Sequence, residues 1–342
     1  MPAVTPLIPT LFRRLKRIGY DEAFVRRVVL PDWWEDSLAQ DATSRVQIEL
    51  RVAQRLSLPL ADVADPLKPL RLPDANHVRL KRAKSGTERA DIAPGLIAAR
   101  NAVALVLPHL RAVPPLPANL TAAALRRRIL ERQGTVDLGA LVEACWSHGI
   151  AVFHFSPLPT AAKKFAGMAY YEGDRPVIVL ASGYDSPPRQ AFYLAHEVGH
   201  ILRGHVKPGG EMLADSDLDT ATEDKDEREA DGDALELLTG QRTPEFSATY
   251  GLTAPKLRAA AERFEEQHGV HAGSVTLIYG KTAQRMPVAI AALKLMNMDA
   301  GARAIVAEAL RRRLISDDGH PFAELPGAVM ELLPVFGVEC RG

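Results

Sequence analysis

The sequence has little cysteine, no net charge and no long apolar run. Its 342 residues contain two cysteines, Cys145 and Cys340, far apart in the chain. Two cysteines predict free thiols in a reducing compartment rather than a disulfide framework or a cysteine-rich zinc module. Lys plus Arg and Asp plus Glu both number 42, so no overall charge indicates a nucleic-acid or acidic-membrane partner. Evidence for function must therefore come from local motifs.

No export signal or membrane span is predicted either. The segment 11–17, Leu-Phe-Arg-Arg-Leu-Lys-Arg, is basic and lacks the apolar core of a signal peptide. A membrane helix needs about 18 or more consecutive apolar residues without charge, and the sequence contains no such window. We therefore expect a soluble, cytoplasmic protein.

The length predicts two or three structural units, and changes in composition suggest their boundaries. Residues 1–65 have the pattern of several short helices and are interpreted as a helix-turn-helix-like region. Residues 66–118, between two groups of prolines, are predicted to be a basic and helical linker. Residues 119–245 have a mixed pattern, and 246–342 are predicted to be mostly helical, with no role assigned. The fold class expected is α+β, mostly helical, with an all-α N-terminal region followed by a unit with a small sheet.

The third unit begins with short strands and continues with two helices. The strands are predicted from runs of β-branched and aromatic residues, at 150–155, 167–171 and 176–180, the last two joined by a turn at Gly173. Apolar spacing predicts helices over 188–203 and 224–239. The acidic stretch 211–226 between these helices is predicted to be a loop.

The segment His196-Glu197-Val198-Gly199-His200 is the strongest motif. Two histidines four residues apart on a helix present both imidazoles on one face, so that one Zn²⁺ can bind both. Glu197 is placed to act as general base on a zinc-bound water. A catalytic zinc needs a third protein ligand and one open position.

The third ligand is expected from the acidic helix that follows, Glu227-Arg-Glu-Ala-Asp231. Glu227 and Asp231 are four residues apart and share a face. Glu227 is therefore predicted to bind the metal, and Asp231 to support a ligand histidine by hydrogen bonding. Glu229 is the competing choice for the third ligand.

These segments together resemble the ImmA/IrrE family of bacterial metallopeptidases. The resemblance covers about residues 135–240 and implies a minimal zincin-like fold, with a small sheet against two active-site helices. It implies that His196, His200 and Glu227 bind Zn²⁺ and that Glu197 is the general base. Family members commonly cleave a repressor or antitoxin, releasing gene expression under stress, and many carry a helix-turn-helix domain. One departure is Asp233, at a position where the family usually has an aromatic residue.

Other residues that could carry chemistry have simpler interpretations. His205 and His154 are predicted not to be ligands, and Tyr193 is predicted to pack rather than to stabilise an oxyanion. The pair Trp33-Trp34 is expected to pack in the core or at an interface. The basic cluster, Arg79, Lys81, Arg82 and Lys84, is expected to be a solvated face, with contact to nucleic acid as the alternative.

Two functions from different classes therefore remain. The first is a zinc endopeptidase that cleaves a regulatory protein, with the N-terminal helices selecting or docking the substrate. The second is a DNA-binding transcriptional regulator whose zinc domain is a sensor or a relic. The complete set of ligands and base favours the endopeptidase, because a structural zinc has no need of Glu197.

Overall fold

The computed structural model describes residues 7–73, 78–81, 88–112, 114–160, 165–215, 224–244, 251–314 and 325–339. The N-terminal part is helical. Its α-helices are α1 (Leu7–Arg17), α2 (Glu22–Phe24), α3 (Ala42–Leu56) and α4 (Leu60–Ala64), with a π-helical turn at Val25–Val29 and a 3-10 turn at Asp36–Gln40. This agrees with the helices expected before residue 65. The helix-turn-helix interpretation stays a prediction.

Strand β1 (Val78–Leu80) and helix α5 (Arg89–Val106) come next, and the central part of the chain supplies the rest of the sheet. Its elements are a 3-10 turn (Leu107–His109), α6 (Ala122–Leu130), α7 (Leu138–Ser147), β2 (Ala151–His154), β3 (Gly167–Glu172), β4 (Arg175–Leu180), α8 (Pro187–Leu202), β5 (Met212–Asp215) and α9 (Lys225–Thr239). The C-terminal part is again helical, as predicted. Its elements are α10 (Ala254–His268), α11 (Ala272–Thr282), α12 (Met286–Leu295), α13 (Ala302–Leu314), α14 (Gly327–Met330) and a 3-10 turn (Leu333–Phe336). The α+β, mostly helical class is confirmed.

The five strands form one mixed sheet in the order β1-β5-β3-β4-β2. β3 and β4 are an antiparallel hairpin whose turn contains Gly173 at φ +60°, a conformation that glycine adopts without strain. β2 pairs parallel with β4, and β5 pairs antiparallel with β3. Helix α8 packs on β3 and β4, so its inward face lies over the middle of the sheet.

Strand β5 corrects the predicted loop at 211–226. Residues Met212–Asp215 pair with both β1 and β3, and all four are buried. The acidic composition of the stretch hid the apolar Met212-Leu-Ala segment within it. Residues 216–223 lie outside the described residues, and Asp224 already caps α9.

Residues from all four predicted units share one hydrophobic core. The main cluster of buried side chains includes Leu15 and Val52 near the N-terminus, Val103 of α5, Phe153 of β2 and Phe336 near the C-terminus. β1, from the stretch predicted as a linker, is an edge strand of the sheet. The predicted domain boundaries stay predictions, but the described parts of these units are packed together.

The α5 region is the only described segment long and apolar enough to cross a membrane. This segment, Ala90–His109, passes that test by length and composition, yet 61% of its apolar window is buried inside the protein. Ile92, Ala99 and Val103 of α5 are fully buried in the main core. Burial on this scale is that of a core helix in a soluble protein.

Candidate metal centre

Helix α8 supplies both motif histidines and the glutamate between them. Pro187 and Pro188 begin the helix, where the missing N–H groups of proline cost nothing. His196, Glu197 and His200 are all fully buried. One turn of helix brings the two Nε2 atoms to 3.1 Å from each other, so these nitrogens converge on a single point.

Helix α9 brings Glu227 to the same point. Asp224 caps the helix by accepting hydrogen bonds from the backbone N–H groups of Asp226 and Glu227, which fixes Glu227 in the first turn. The two carboxylate oxygens of Glu227 lie 3.3 Å from His196 Nε2 and 3.3 Å from His200 Nε2. Burial alone would raise the pKa of Glu227, but the two imidazoles lower it far below its usual range.

The close approach of α8 and α9 depends on Gly199. A Cβ at this position would lie 2.9 Å from the carbonyl oxygen of Ala230 and 3.0 Å from its Cα. Only a residue without a side chain lets the two helix backbones come so near. The histidines and Glu227, which belong to different helices, can therefore meet.

The outer nitrogen of each histidine is also held by a partner. Asp231 Oδ1 is 3.0 Å from Nδ1 of His196, so this ring can donate its Nδ1–H to the carboxylate while Nε2 faces His200 and Glu227. Nδ1 of His200 is 2.9 Å from Nδ1 of His205, and Nε2 of His205 lies 3.5 Å from Glu229. Such contacts orient metal-binding imidazoles and fix their tautomers.

Glu227 and Glu229 thus occupy different places. Glu227 faces the two inner imidazole nitrogens, whereas Glu229 faces His205 and Lys225. His205 and Asp231 both contact the outer nitrogens of the histidine pair. The i,i+4 spacing of Glu227 and Asp231 predicted in the sequence that both side chains face the histidines. No spacing predicted the contact of His205 with His200, because His205 lies beyond the end of α8.

Asp215, at the end of β5, is a fourth member of the cluster that the sequence did not reveal. One ligand atom each from His196, His200, Asp215 and Glu227 lie within 4.8 Å of one another, and all four residues are buried. Desolvation lowers the pKa of His196, but the nearby carboxylates of Asp215, Asp231 and Glu227 outweigh it and raise that pKa well above its usual value. The carboxylates of Asp215, Glu227 and Asp231 therefore surround the two imidazoles with negative charge, and the first two are fully buried.

This donor set suits a divalent metal ion. Imidazole nitrogen and carboxylate oxygen are the ligands that zinc prefers in hydrolytic sites, and they also suit Mn²⁺ or Fe²⁺. Neither carboxylate oxygen of Asp215 has a hydrogen-bond partner among the described residues. Buried carboxylates facing each other repel unless a cation lies between them. The four residues therefore fit a metal, whose identity they leave open.

Glu197 lies against β3, beside the cluster. A Cβ added at Gly167 would collide with the Glu197 carboxylate, since it would come within 3.2 Å of Cδ and closer still to Oε1. Gly167 is therefore required for this carboxylate to fit between helix and sheet. Gly167 also pairs with Asp215 across the β3–β5 ladder, so Glu197 and Asp215 face the same side of the sheet.

Asp233, where the resemblance led us to expect an aromatic residue, makes a buried ion pair. Its carboxylate accepts two hydrogen bonds from Arg203 at 2.6 and 2.7 Å, and it also pairs with Arg242. Burial raises the pKa of Asp233, but the two guanidinium groups outweigh it and lower that pKa. This ion pair connects Arg203, at the C-terminal end of α8, to Asp233 of α9.

The described part of the basic cluster is largely neutralised. Lys81 lies 2.6 Å from Asp224, and Arg79 lies 3.4 Å from Asp226 and 3.6 Å from Glu211. Arg82 and Lys84 lie outside the described residues. Cations that are paired with acids offer less charge to phosphate groups.

The remaining candidates are not among the four residues that could hold a metal ion. His154 is buried in β2, and desolvation, helped by Arg303, lowers its pKa to about 4, so it stays neutral. Tyr193 is buried, and its hydroxyl accepts a hydrogen bond from Arg189 at 3.1 Å. Trp34 is buried, while Trp33 is 54% exposed.

One comparison with known proteins gives a match. The family model described as Peptidase_M78, IrrE N-terminal-like domain, matches residues 145–267. No curated protein and no solved structure matches the chain. The matched range includes β2–β5, α8, α9 and most of α10, and so contains every residue of the cluster.

Proposed function

We propose that this chain, whose residues 145–267 form a peptidase domain of the IrrE N-terminal-like family, is a metal-dependent endopeptidase that cleaves a regulatory protein. Zn²⁺ is the metal we propose. His196, His200 and Glu227 would bind it, Asp231 would orient His196, and Glu197 would be the general base. The observation that carries the proposal is the convergence of two imidazoles and Glu227 from different helices, with a buried carboxylate beside them.

Glu197 is what distinguishes a hydrolytic site from a structural one. A structural metal that only links two helices needs ligands but no additional buried acid. Burying a carboxylate costs several kcal/mol. Here Glu197, next to His196 in the motif, is fully buried, and Gly167 leaves its carboxylate space against β3. This arrangement is retained at a cost in stability, as expected for a group with a chemical task.

The proposed reaction is hydrolysis of a peptide bond. The metal, when bound, polarises the scissile carbonyl and acidifies the attacking water. Glu197 accepts a proton from that water as its oxygen bonds to the carbonyl carbon. Glu197 then delivers the proton to the amide nitrogen, so that the C–N bond breaks and a free amine leaves. Asp231 and His205 hold the histidine rings in place throughout.

The substrate class and the compartment rest on the resemblance described above. A repressor or an antitoxin, often a small helix-turn-helix protein, is the substrate we propose, and such proteins act in the cytoplasm. The N-terminal helices are proposed to contact this substrate.

The first test separates metal binding from proton transfer. Glu197→Gln should retain one metal per chain, measured by elemental analysis, and lose cleavage by about 10²-fold or more, because the amide cannot accept the proton. Glu227→Ala should lose metal, while Glu229→Ala, which removes a carboxylate facing His205, should retain most of it. Loss of metal in Glu229→Ala alone would reverse the assignment of the third ligand.

Cleavage itself is measured by co-expression with small repressors encoded beside this gene. Mass spectrometry should find one new fragment pair with the wild type and none with Glu197→Gln. If fragments appear equally with both proteins, Glu197 is not the base. If the wild type binds metal but cleaves no candidate and instead shifts operator DNA, the regulator interpretation would replace the peptidase.

A further inference from the structure

Asp215 is a buried acid for which the proposed catalytic set has no use. It ends β5, its side chain is fully buried, and neither carboxylate oxygen has a hydrogen-bond partner among the described residues. Its Oδ2 lies 3.5 Å from His196 Nε2. A carboxylate aimed at the metal-binding nitrogen of a ligand histidine points to the metal position itself.

Several distances within the cluster suit four protein ligands around one metal ion. Ligand atoms about 2.0–2.1 Å from a tetrahedral zinc are about 3.3 Å from one another. The separations found are 3.1 Å between the two Nε2 atoms, 3.3 Å from each Nε2 to Glu227, and 3.5 Å from His196 Nε2 to Asp215. One ligand atom from each of the four residues lies within 4.8 Å of the others, so Asp215 is placed to take the position that a catalytic site leaves open.

We infer that Asp215 is a fourth protein ligand that closes the metal site in the resting protein. This inference rests on the proposed function and adds regulation to it, because water and substrate can enter the coordination sphere only after the carboxylate has left. The protein would then be a latent peptidase. Burial of Glu197 and all four ligands also closes the site to solvent.

The geometry also shows how Asp215 would leave. Its backbone is held in the sheet, where its carbonyl accepts a hydrogen bond from Ala166 N at 2.6 Å and its Cα pairs with Gly167. The strand therefore stays in place, and release requires rotation about the Cα–Cβ bond. The exchange breaks one metal–carboxylate bond and forms one bond to an incoming oxygen. No covalent bond of the protein changes.

The experiment uses the full chain loaded with Co²⁺, whose visible absorption reports coordination number. Acetohydroxamate, a small bidentate ligand, is then added. The wild-type spectrum should not change, because all four positions are filled. Asp215→Ala should respond at millimolar acetohydroxamate, because one position is open. Zn²⁺ affinity, measured by competition with a chelator, should fall tenfold or more in this variant.

Two further variants provide an alternative to the alanine substitution and a control. Asp215→Asn preserves the shape of the side chain but removes its charge, so it should also bind acetohydroxamate if the alanine variant fails to fold. Glu211→Gln changes an exposed acid just before β5 and should behave as the wild type.

The outcomes separate the two proposals. If the wild type binds one cobalt and responds to acetohydroxamate as the Asp215 variants do, the closed site is wrong and the peptidase remains. The same follows if Zn²⁺ affinity is unchanged in both variants. A wild type that binds no metal would overturn both the metal-dependent function and the closed site.

Discussion

At the scale of single residues, Gly167 controls where the proposed base lies. The inner surface of β3 and the Glu197 carboxylate are too close together for any side chain at position 167. The catalytic geometry therefore depends on a glycine that has no chemistry of its own.

Gly167→Ala tests this dependence. The added methyl group should push Glu197 from its position, and such overpacking costs about 1–3 kcal/mol of stability. We expect cleavage to fall by about 10–100-fold with metal still bound, because a displacement of about 1 Å can have that effect. The control is Gly183→Ala, where a Cβ would meet nothing within 4 Å. Equal activity of both variants would contradict the role of Gly167.

At the scale of elements, the two histidines and Glu227 meet at the interface between α8 and α9. Gly199 allows backbone contact with α9, Asp231 reaches His196, and Arg203 reaches Asp233. Because the ligands come from both helices, any change in their separation moves Glu227 relative to the histidines. The metal and the helix pair should therefore stabilise each other.

Asp233→Asn tests the ion pair between these helices. The pKa of Asp233 is lowered in the folded protein, so its stabilising effect is present above its unfolded pKa of about 3.9 and is lost as pH falls through the folded value. The variant should be about 1–3 kcal/mol less stable at pH 7. This loss is smaller than that for a fully buried ion pair, because both arginines are partly exposed to solvent. Chemical denaturation at pH 7 and below pH 4 measures the difference, which should shrink in acid.

The control for this prediction is an exposed ion pair. Glu262→Gln removes the surface pair with Arg258, whose side chains are 43% and 45% exposed. Its effect should stay below about 0.5 kcal/mol at either pH. A loss of the same size in both variants would mean that Asp233 makes no special contribution.

At the scale of the whole molecule, described parts of all four predicted units contribute to the main hydrophobic core. β1 completes the edge of the sheet beside β5, and α3 and α5 share the main core with residues 145–267, the range that the family model matches. Asp215 lies at the end of the strand that β1 supports. Residues before 115 therefore contribute to the structure around the candidate metal site.

Deletion of residues 1–115 should consequently damage the metal site. The truncated chain loses β1 and the buried faces of α3 and α5, and the exposed core should abolish cooperative unfolding. In the full chain, Co²⁺ absorption and far-UV circular dichroism should report one shared thermal transition. A soluble truncated protein that binds metal with unchanged affinity would show instead that residues 119–245 fold independently, as the domain boundaries predicted.

The sequence by itself determined the local parts of this protein. The i,i+4 spacing of His196 and His200, and of Glu227 and Asp231, follows from helical periodicity. The β3–β4 hairpin follows from short apolar runs around a glycine turn. These features depend on neighbours within a few residues, which is the range over which pattern and spacing carry information.

Tertiary structure alone decided the rest, because it brings together residues with no shared pattern. β5 is too short and too acidic in its surroundings to be recognised, and it becomes a strand by pairing with β1 and β3. Asp215 meets the histidines only through that pairing, and His205 meets His200 only because the chain turns after α8. The requirement for glycine at 167 arises from Glu197, thirty residues later in the chain. Contacts over such separations are set by packing of the whole core, which no local pattern encodes.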